Sequence, residues 1–373
     1  MSALVPETAT GIVTVDLSAV AENWRALAAR VRPAECGAVV KADAYGLGAD
    51  RVIPALAKAG CRSFFVATPD EARQARRLAP QAVIYVLDGL MPGSGDDLIE
   101  TAAMPVLSNA DAVREWAALA QARGLRLPAA LQLDSGLNRL GLGEADSLTL
   151  VTGGVLARLE LKLVMSHLAC ADDPDDAKNG QQLAAFRRLS SHLPRAPLSL
   201  AASDGLMLGA DFHFDLVRPG YALYGGQAFK GGATPVKPVV RVEARVLQVR
   251  DVPAGETIGY SATYVATSAR RIATVAAGYA DGLFRRLSAG DGETGGMVSI
   301  AGHLAPIAGR VSMDLITVDV TDVPGVVARG DLVTLIGPDL PLEAVGAAAG
   351  TIGYEVLTNL GRRYHRCYVD GDA

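Results

Sequence analysis

Between about residues 36 and 225 the chain repeats one pattern, a short and mostly apolar run followed by a stretch with helical periodicity. The apolar runs fall at 38–42, 63–67, 83–87, 104–108, 131–134, 162–167, 198–203 and 215–219. Short runs of mainly apolar residues suit strands buried on both faces, as in parallel sheets covered by helices. Most of the intervening segments read as amphipathic helices, 109–123 and 176–193 among them. Asn109 and Thr68 stand where N-caps belong, and the run Thr-Pro-Asp-Glu from Thr68 fits a capping box. Eight strand–helix repeats predict an α/β fold closed as a (β/α)8 barrel, with a doubly wound open sheet as the alternative.

The pattern changes after Gly225. Residues 225–238, GGQAFKGGATPVKP, are rich in Gly and Pro and read as a linker. Beyond them helices are scarce, and VVRVEARVLQVRDV, RRIATVAAGY, GMVSIAGHLAPIAGRVSMDLITVDV and DLVTLIG look like strands and turns. The expected organisation is a barrel over 18–235 and a mostly β domain over 236–373. An N-terminal segment, 1–17, carries an early strand at 12–17 that is assigned to the β domain. A length of 373 residues suggests two or three domains, although an α/β barrel alone can take about 250 residues.

Composition narrows the function classes. Half the residues are hydrophobic, enough for a large core, and the net charge is −5 with no long basic run. That argues against nucleic acid or an anionic membrane surface as the main partner. No apolar run approaches the roughly 18 residues of a membrane span. The opening MSALVPETATGIVTVD lacks a basic segment followed by an apolar one, so no secretory leader is expected. Cys36, Cys61, Cys170 and Cys367 are scattered, which reads as reduced thiols of a cytoplasmic protein. The five histidines show no metal-ligand spacing, so no metal is expected.

Barrel chemistry sits at the C-terminal ends of the strands. Here the first strand ends in Lys41, the sixth in His167, the seventh in Ser203 and the eighth in Arg218, with Arg139 just past the fifth. Five polar residues far apart in sequence are thereby aimed at one mouth. Lys41 follows two valines, where a poorly hydrated ammonium loses its proton more readily and the amine can form a Schiff base. A strand-end lysine can equally well only extend to solvent. The Gly-rich ends of the last two strands suit a phosphate, with Ser203, Gly220 and Tyr221 as donors, although Pro219-Gly220 alone is also an ordinary turn. A lysine–aldehyde linkage beside a phosphate cup points to pyridoxal phosphate; a sugar-phosphate aldolase with a bare lysine Schiff base fits the same features.

Tyrosines are the second anomaly. Tyr45, Tyr221, Tyr224, Tyr260, Tyr264, Tyr279 and Tyr354 all sit beside Gly or in polar turns, although any one of them is also an ordinary interface residue. Tyr260 and Tyr264 form a spaced pair in TIGYSATY.

Over nearly its full length the chain resembles the alanine racemase family, pyridoxal-phosphate enzymes with an N-terminal barrel and a C-terminal β domain. VVKADAYGLG, LDSGLNRLG, SHLACAD, VRPGYALYG, GYSATY, GYADG, GRVSMD and TIGYEVLTNLGRR match the family's blocks in the family's order. The resemblance implies that Lys41 carries the cofactor and acts as one catalytic base, and that Tyr260, supplied by the partner subunit, is the opposite base. It implies that Tyr45, Ser203, Gly220, Tyr221 and Tyr354 hold the phosphate. Arg218 would face the pyridine nitrogen, and His167 would lie against the ring and link Arg218 to Tyr260. Arg139 would bond the cofactor's phenolic oxygen and help with the substrate carboxylate, to which Met313 would offer a backbone N–H. Asp172, Tyr264, Tyr279, Arg285 and Arg310 would line the substrate entrance.

Racemisation then needs two bases on opposite faces of the cofactor, and hence a homodimer with shared sites, taking alanine as substrate. An arginine at the pyridine nitrogen keeps that atom unprotonated and limits side reactions. One departure is Gln132, where many relatives place a carbamylated lysine; its amide oxygen, or a bound anion such as chloride, is expected to orient Arg139. Ala202 likewise replaces an asparagine before Ser203. A racemase of broader range that includes serine, a pyridoxal-phosphate decarboxylase and a non-catalytic cofactor carrier are the alternatives. Arg218 opposes the decarboxylase, and the β domain opposes the carrier.

Overall fold

The computed structural model describes residues 8–290 and 294–370. The first seven residues, which bear on the expected absence of a leader, lie outside that range. The chain divides into two compact units, one of residues 20–223 and 227–236, the other of the remaining described residues.

The first unit is built on a parallel sheet of seven strands, in the order Ala38–Val39, Ser63–Val66, Val83–Val86, Met104–Leu107, Leu127–Gln132, Leu159–Met165 and Leu198–Ser199. An eighth strand, Leu216–Val217, closes the circuit. It pairs in parallel with Glu35–Cys36, the first strand's own beginning across Gly37. It meets the seventh strand's end through an Ala202–Arg218 bridge. The barrel strands carry the core, with Phe64, Phe65, Ile84, Val86, Val106, Leu107, Ala129, Ala130 and Leu131 fully or almost fully buried.

Helices cover the outside for local reasons. Ala110–Ala122 begins where the Asn109 side chain accepts the Ala112 N–H at 2.8 Å, a cap worth about 1 kcal/mol. It buries Ala112, Val113, Trp116, Ala117 and Ala120, one face of a 3.6-residue repeat. Trp116 also bonds the Pro128 carbonyl at 3.1 Å, so its indole N–H is not stranded.

The second unit is mainly antiparallel. Its sheet runs His303–Pro306, Met297–Ile300, Leu332–Ile336, Val240–Val252, Gly11–Asp16, His365–Val369. Arg270–Val275 and Ile316–Asp319 branch from the long strand Val240–Val252, which shifts register between Val246 and Gln248. Gly11–Asp16 lies antiparallel to Val240–Val252 and parallel to His365–Val369. Two short helices, Leu342–Ala348 and Gly353–Thr358, interrupt the β pattern. Among the described residues no helix is long and apolar enough to cross a membrane, and no group of three or more His, Cys, Asp or Glu is placed to hold a metal.

Candidate active site

The first strand does not run on to Lys41 as its sequence suggests. It stops at Val39, Val40 makes one further bond to the Phe65 carbonyl, and Lys41 opens a turn. Ala42, Asp43, Ala44 and Tyr45 all lie in the left-handed helical region, with φ of 52°, 55°, 54° and 58°. Each such L-residue costs about 1–2 kcal/mol, hence roughly 4–8 kcal/mol for the four. The turn is held by its own bonds, Ala44 N–H to Val40 O at 3.0 Å and Gly46 N–H to Ala42 O at 2.8 Å. Two carboxylates add to them. Glu71 accepts the Ala42 N–H, and Asp43 accepts the Ala49 N–H, both at 2.7 Å. Strain concentrated beside a single lysine marks a place where geometry is held against local preference.

The same turn ends in Tyr45, a buried phenol that meets the last strand's loop. A Cβ on Gly220 would lie 2.4 Å from the Tyr45 hydroxyl, so only glycine allows this approach. The Gly220 and Ala222 N–H groups both donate to Ser203 Oγ, at 3.0 and 3.2 Å. Burial pushes the Tyr45 phenol well above its ordinary range, which keeps it a neutral donor. Tyr221 is fully buried beside them.

Arg218 is almost completely buried, and its terminal nitrogens are taken up by Ser199 Oγ and by the Ser166 carbonyl at 2.6 Å. Among the described residues nothing accepts its Nε–H, which is left for a ligand. The Phe65 ring lies 6.0 Å below the guanidinium and is itself stacked on Tyr85 at 4.5 Å. Burial lowers the arginine to about 10, still charged at neutral pH. His167 is pulled down to about 3, first by desolvation and then by the charges of Arg218, Arg139 and Lys41, so its ring is neutral.

Arg139 sits on a loop fixed by Asp134, which accepts the Gly136 and Asn138 N–H groups at 2.9 and 3.1 Å. Gln132 supports the same loop, its Nε2 donating to the Leu140 carbonyl at 3.2 Å. Among the described residues no side chain pairs with Arg139. Asp172 is tied up by Lys230, with 2.9 Å between Oδ2 and Nζ.

Lys41, Arg139, His167 and Arg218 are thus gathered at strand ends of one barrel, and among the described residues no carboxylate pairs with any of them. Such a set suits an anionic, flat ligand with a phosphate at the Ser203–Gly220 end. Supporting groups that gave no clear signal in the sequence complete it. Gln182, fully buried on a helix, donates to the His167 carbonyl at 3.0 Å and accepts the Ala169 N–H at 2.7 Å. Ser166 and Ser199 seat Arg218. A buried glutamine in an amphipathic helix is the kind of polar-inside anomaly that marks such a role.

The second unit carries the remaining candidates. Tyr260 is 72% exposed on a short turn. Tyr264, its neighbour in the motif, instead packs on the Val252, Ile258, Ala266, Ile272 and Ala308 cluster, with the charges of Asp319 and Arg270 nearby. Tyr279 and Met313 are both exposed and joined through their backbones, since Tyr279 N–H bonds Ser312 O at 3.0 Å and Ala280 N–H bonds Met313 O at 2.9 Å. Beneath them Asp281 is buried, held by Arg363 through two bonds of 2.8 Å, and accepts the Gly278 N–H at 2.9 Å. Arg363 also reaches Asp314 at 2.6 Å. Asp281→Ala should strand the Gly278 N–H and lower stability by about 1–3 kcal/mol in chemical denaturation. Arg285 and Arg310 line a cavity of about 240 Å³ together with Arg286, Thr263 and Ser288. Tyr354 lies in Gly353–Thr358.

A parallel barrel with a lysine and two arginines at its strand ends, followed by a β-rich unit, defines a two-domain barrel enzyme. Residues 15–228 match the alanine racemase N-terminal domain, and residues 239–368 match the alanine racemase C-terminal domain. An alanine racemase of Methylobacterium sp. (strain 4-46) is 51% identical over 96% of this chain and 97% of its own length. A catabolic alanine racemase of Agrobacterium fabrum is 46% identical, over 97% and 92%. Among solved structures, alanine racemase from Bartonella henselae, with covalently bound pyridoxal phosphate, superposes with a TM-score of 0.93 at 43% identity, covering 97% of this chain and all of that one. The chain belongs to the alanine racemase family.

Proposed function

We propose that this chain interconverts L-alanine and D-alanine with pyridoxal 5'-phosphate as its cofactor. The observation that carries the reading is the cluster of Lys41, Arg139, His167 and Arg218, unpaired by carboxylates among the described residues. A cofactor with a phosphate and a phenolic oxygen supplies the missing negative charge. Lys41 would hold it covalently, Ser203, Gly220, Tyr221, Tyr45 and Tyr354 its phosphate end, and Arg139 its phenolic oxygen. Bound there, the cofactor supplies an electron sink that acidifies the substrate's Cα–H.

The chain's residues do the rest. Arg218 would hold the ring-nitrogen end and, as a buried cation with no proton to take up, would leave that nitrogen unprotonated. Lys41 Nζ takes or returns the Cα proton on one face, and Tyr260 of the partner subunit does so on the other. A phenol ordinarily titrates near 10, so it needs cationic or hydrogen-bonding help, for which His167 and Arg218 stand ready. Met313 offers a backbone N–H to the substrate carboxylate. Arg139, without a carboxylate or carbamate partner, is oriented by its loop and by a bound anion such as chloride. The reading is tested by converting L-alanine to D-alanine and following Cα-hydrogen exchange in D2O. Serine run in parallel tests breadth.

We further propose a C2 homodimer in which each barrel is completed by the partner's β unit. Tyr260 at 72%, Met313 at 53% and Tyr279 at 44% are far too exposed for working groups of a water-excluding site in a lone chain. Specific activity should therefore fall on dilution in step with the dimer fraction seen by light scattering. A fully active monomer would refute the shared site. Supply of D-alanine for peptidoglycan, or its breakdown, in a cytoplasm that keeps the four free cysteines reduced, is the cellular role we propose.

A further inference from the structure

Glu71 occupies the third position of the helix Pro69–Leu78, where the sequence casts it as the reciprocal partner of Thr68. Half of that box forms, since Thr68 Oγ1 accepts the Glu71 N–H at 3.3 Å. The carboxylate goes elsewhere. Its Oε2 accepts the N–H of Ala67, just past the second strand, at 2.7 Å. Its Oε1 crosses to the neighbouring strand end and accepts the N–H of Ala42 at 2.7 Å. One carboxylate thereby bridges the ends of two barrel strands and grips the peptide immediately after Lys41.

That peptide opens the left-handed turn, whose far end is Tyr45. Lys41 and Tyr45 are the two points at which this turn would meet a ligand, one covalent and one at the phosphate. A backbone left to itself would not keep four L-residues left-handed. Two anchors on a rigid segment act as one chelate, and on a slack segment as two weak sites, because effective concentration falls as the connection loosens.

We propose that Glu71 is a positioning residue that sets the spacing of the Lys41 and Tyr45 anchors by bonding the Ala42 N–H. The proposal rests on the reading that Lys41 carries the cofactor. It needs no contact between Glu71 and ligand. The carboxylate acts through the main chain, so its loss should uncouple the anchors while leaving each in place.

The test uses the full-length protein freed of cofactor and titrated with pyridoxal phosphate and, separately, with pyridoxal, by visible absorbance. Pyridoxal keeps the lysine and ring contacts but lacks the phosphate that would meet Tyr45, so the ratio of the two dissociation constants reports the coupling. In Glu71→Ala that ratio should collapse by roughly tenfold to a hundredfold, the scale of a lost charged hydrogen bond. Pyridoxal affinity should change far less. Glu71→Gln keeps one acceptor oxygen for two N–H groups and should fall between, and it serves if the alanine variant does not fold. An unchanged ratio in folded Glu71→Ala, or in Glu71→Gln where the alanine variant does not fold, overturns the proposal, as does an equal loss for both ligands. Wild-type protein that forms no absorbance band, or Lys41→Ala protein that keeps it, shows instead that the reading of Lys41 has failed, and the proposal falls with it.

Discussion

Replacing Lys41 with alanine should remove the visible absorbance of the protein–cofactor linkage and lower racemisation by at least about a thousandfold. Two losses combine. On the proposed reading the amine is the covalent anchor, and in the two-base scheme it is also the proton carrier on one face. The His167 ring, neutral and pulled down to about 3, is too weak a base to substitute. The remaining cations, Arg139 and Arg218, do not give up protons at working pH. A variant that kept the absorbance would place the linkage on another amine and end the assignment of this strand end as the reacting one. The spectrum and the optical rotation of alanine solutions read the two losses separately.

On the same reading, Tyr260→Phe should separate the two faces. Because L-alanine and D-alanine have equal free energy, kcat/KM must fall equally in both directions, by about a hundredfold to ten-thousandfold for a lost general base. The asymmetry appears in hydrogen exchange. The enantiomer whose Cα–H faces Lys41 should still exchange with D2O without inverting, while the other should nearly stop. Exchange that falls equally for both enantiomers would mean that one base serves both faces. The exposure of Tyr260 makes this substitution mild for folding, since the ring contributes little to its own unit's core.

The apolar runs located the barrel because strands buried on both sides leave no polar residues to disguise them. Where they failed, the reasons are local. The fifth strand begins at Leu127, earlier than its apolar run suggests, because Pro128 looks like a break. Pro128 is tolerated there since pairing with Met104–Leu107 begins only around Ala130. Leu342–Ala348 and Gly353–Thr358 went unread because short helices lack the span over which periodicity shows. The left-handed turn was invisible because Ala-Asp-Ala-Tyr has no glycine to announce positive φ. For the same reason Glu71 looked like a simple cap; its reach to Ala42 depends on a neighbour 29 positions away. The strand-end cations were legible because charged groups after buried strands have few other reasons to be there.

Barrel closure joins Glu35–Cys36 to Leu216–Val217, segments separated by most of the first unit. The turn that starts at Lys41 and ends at Tyr45 therefore meets Gly220 only after the eighth strand has docked. On a ribosome that happens once the chain past Gly220 has cleared the exit tunnel, so a nascent chain stalled earlier presents a lysine with no cup beside it. On the proposed reading the vitamin-derived group is a late passenger in biogenesis, and a fragment truncated before that point should be unable to retain it.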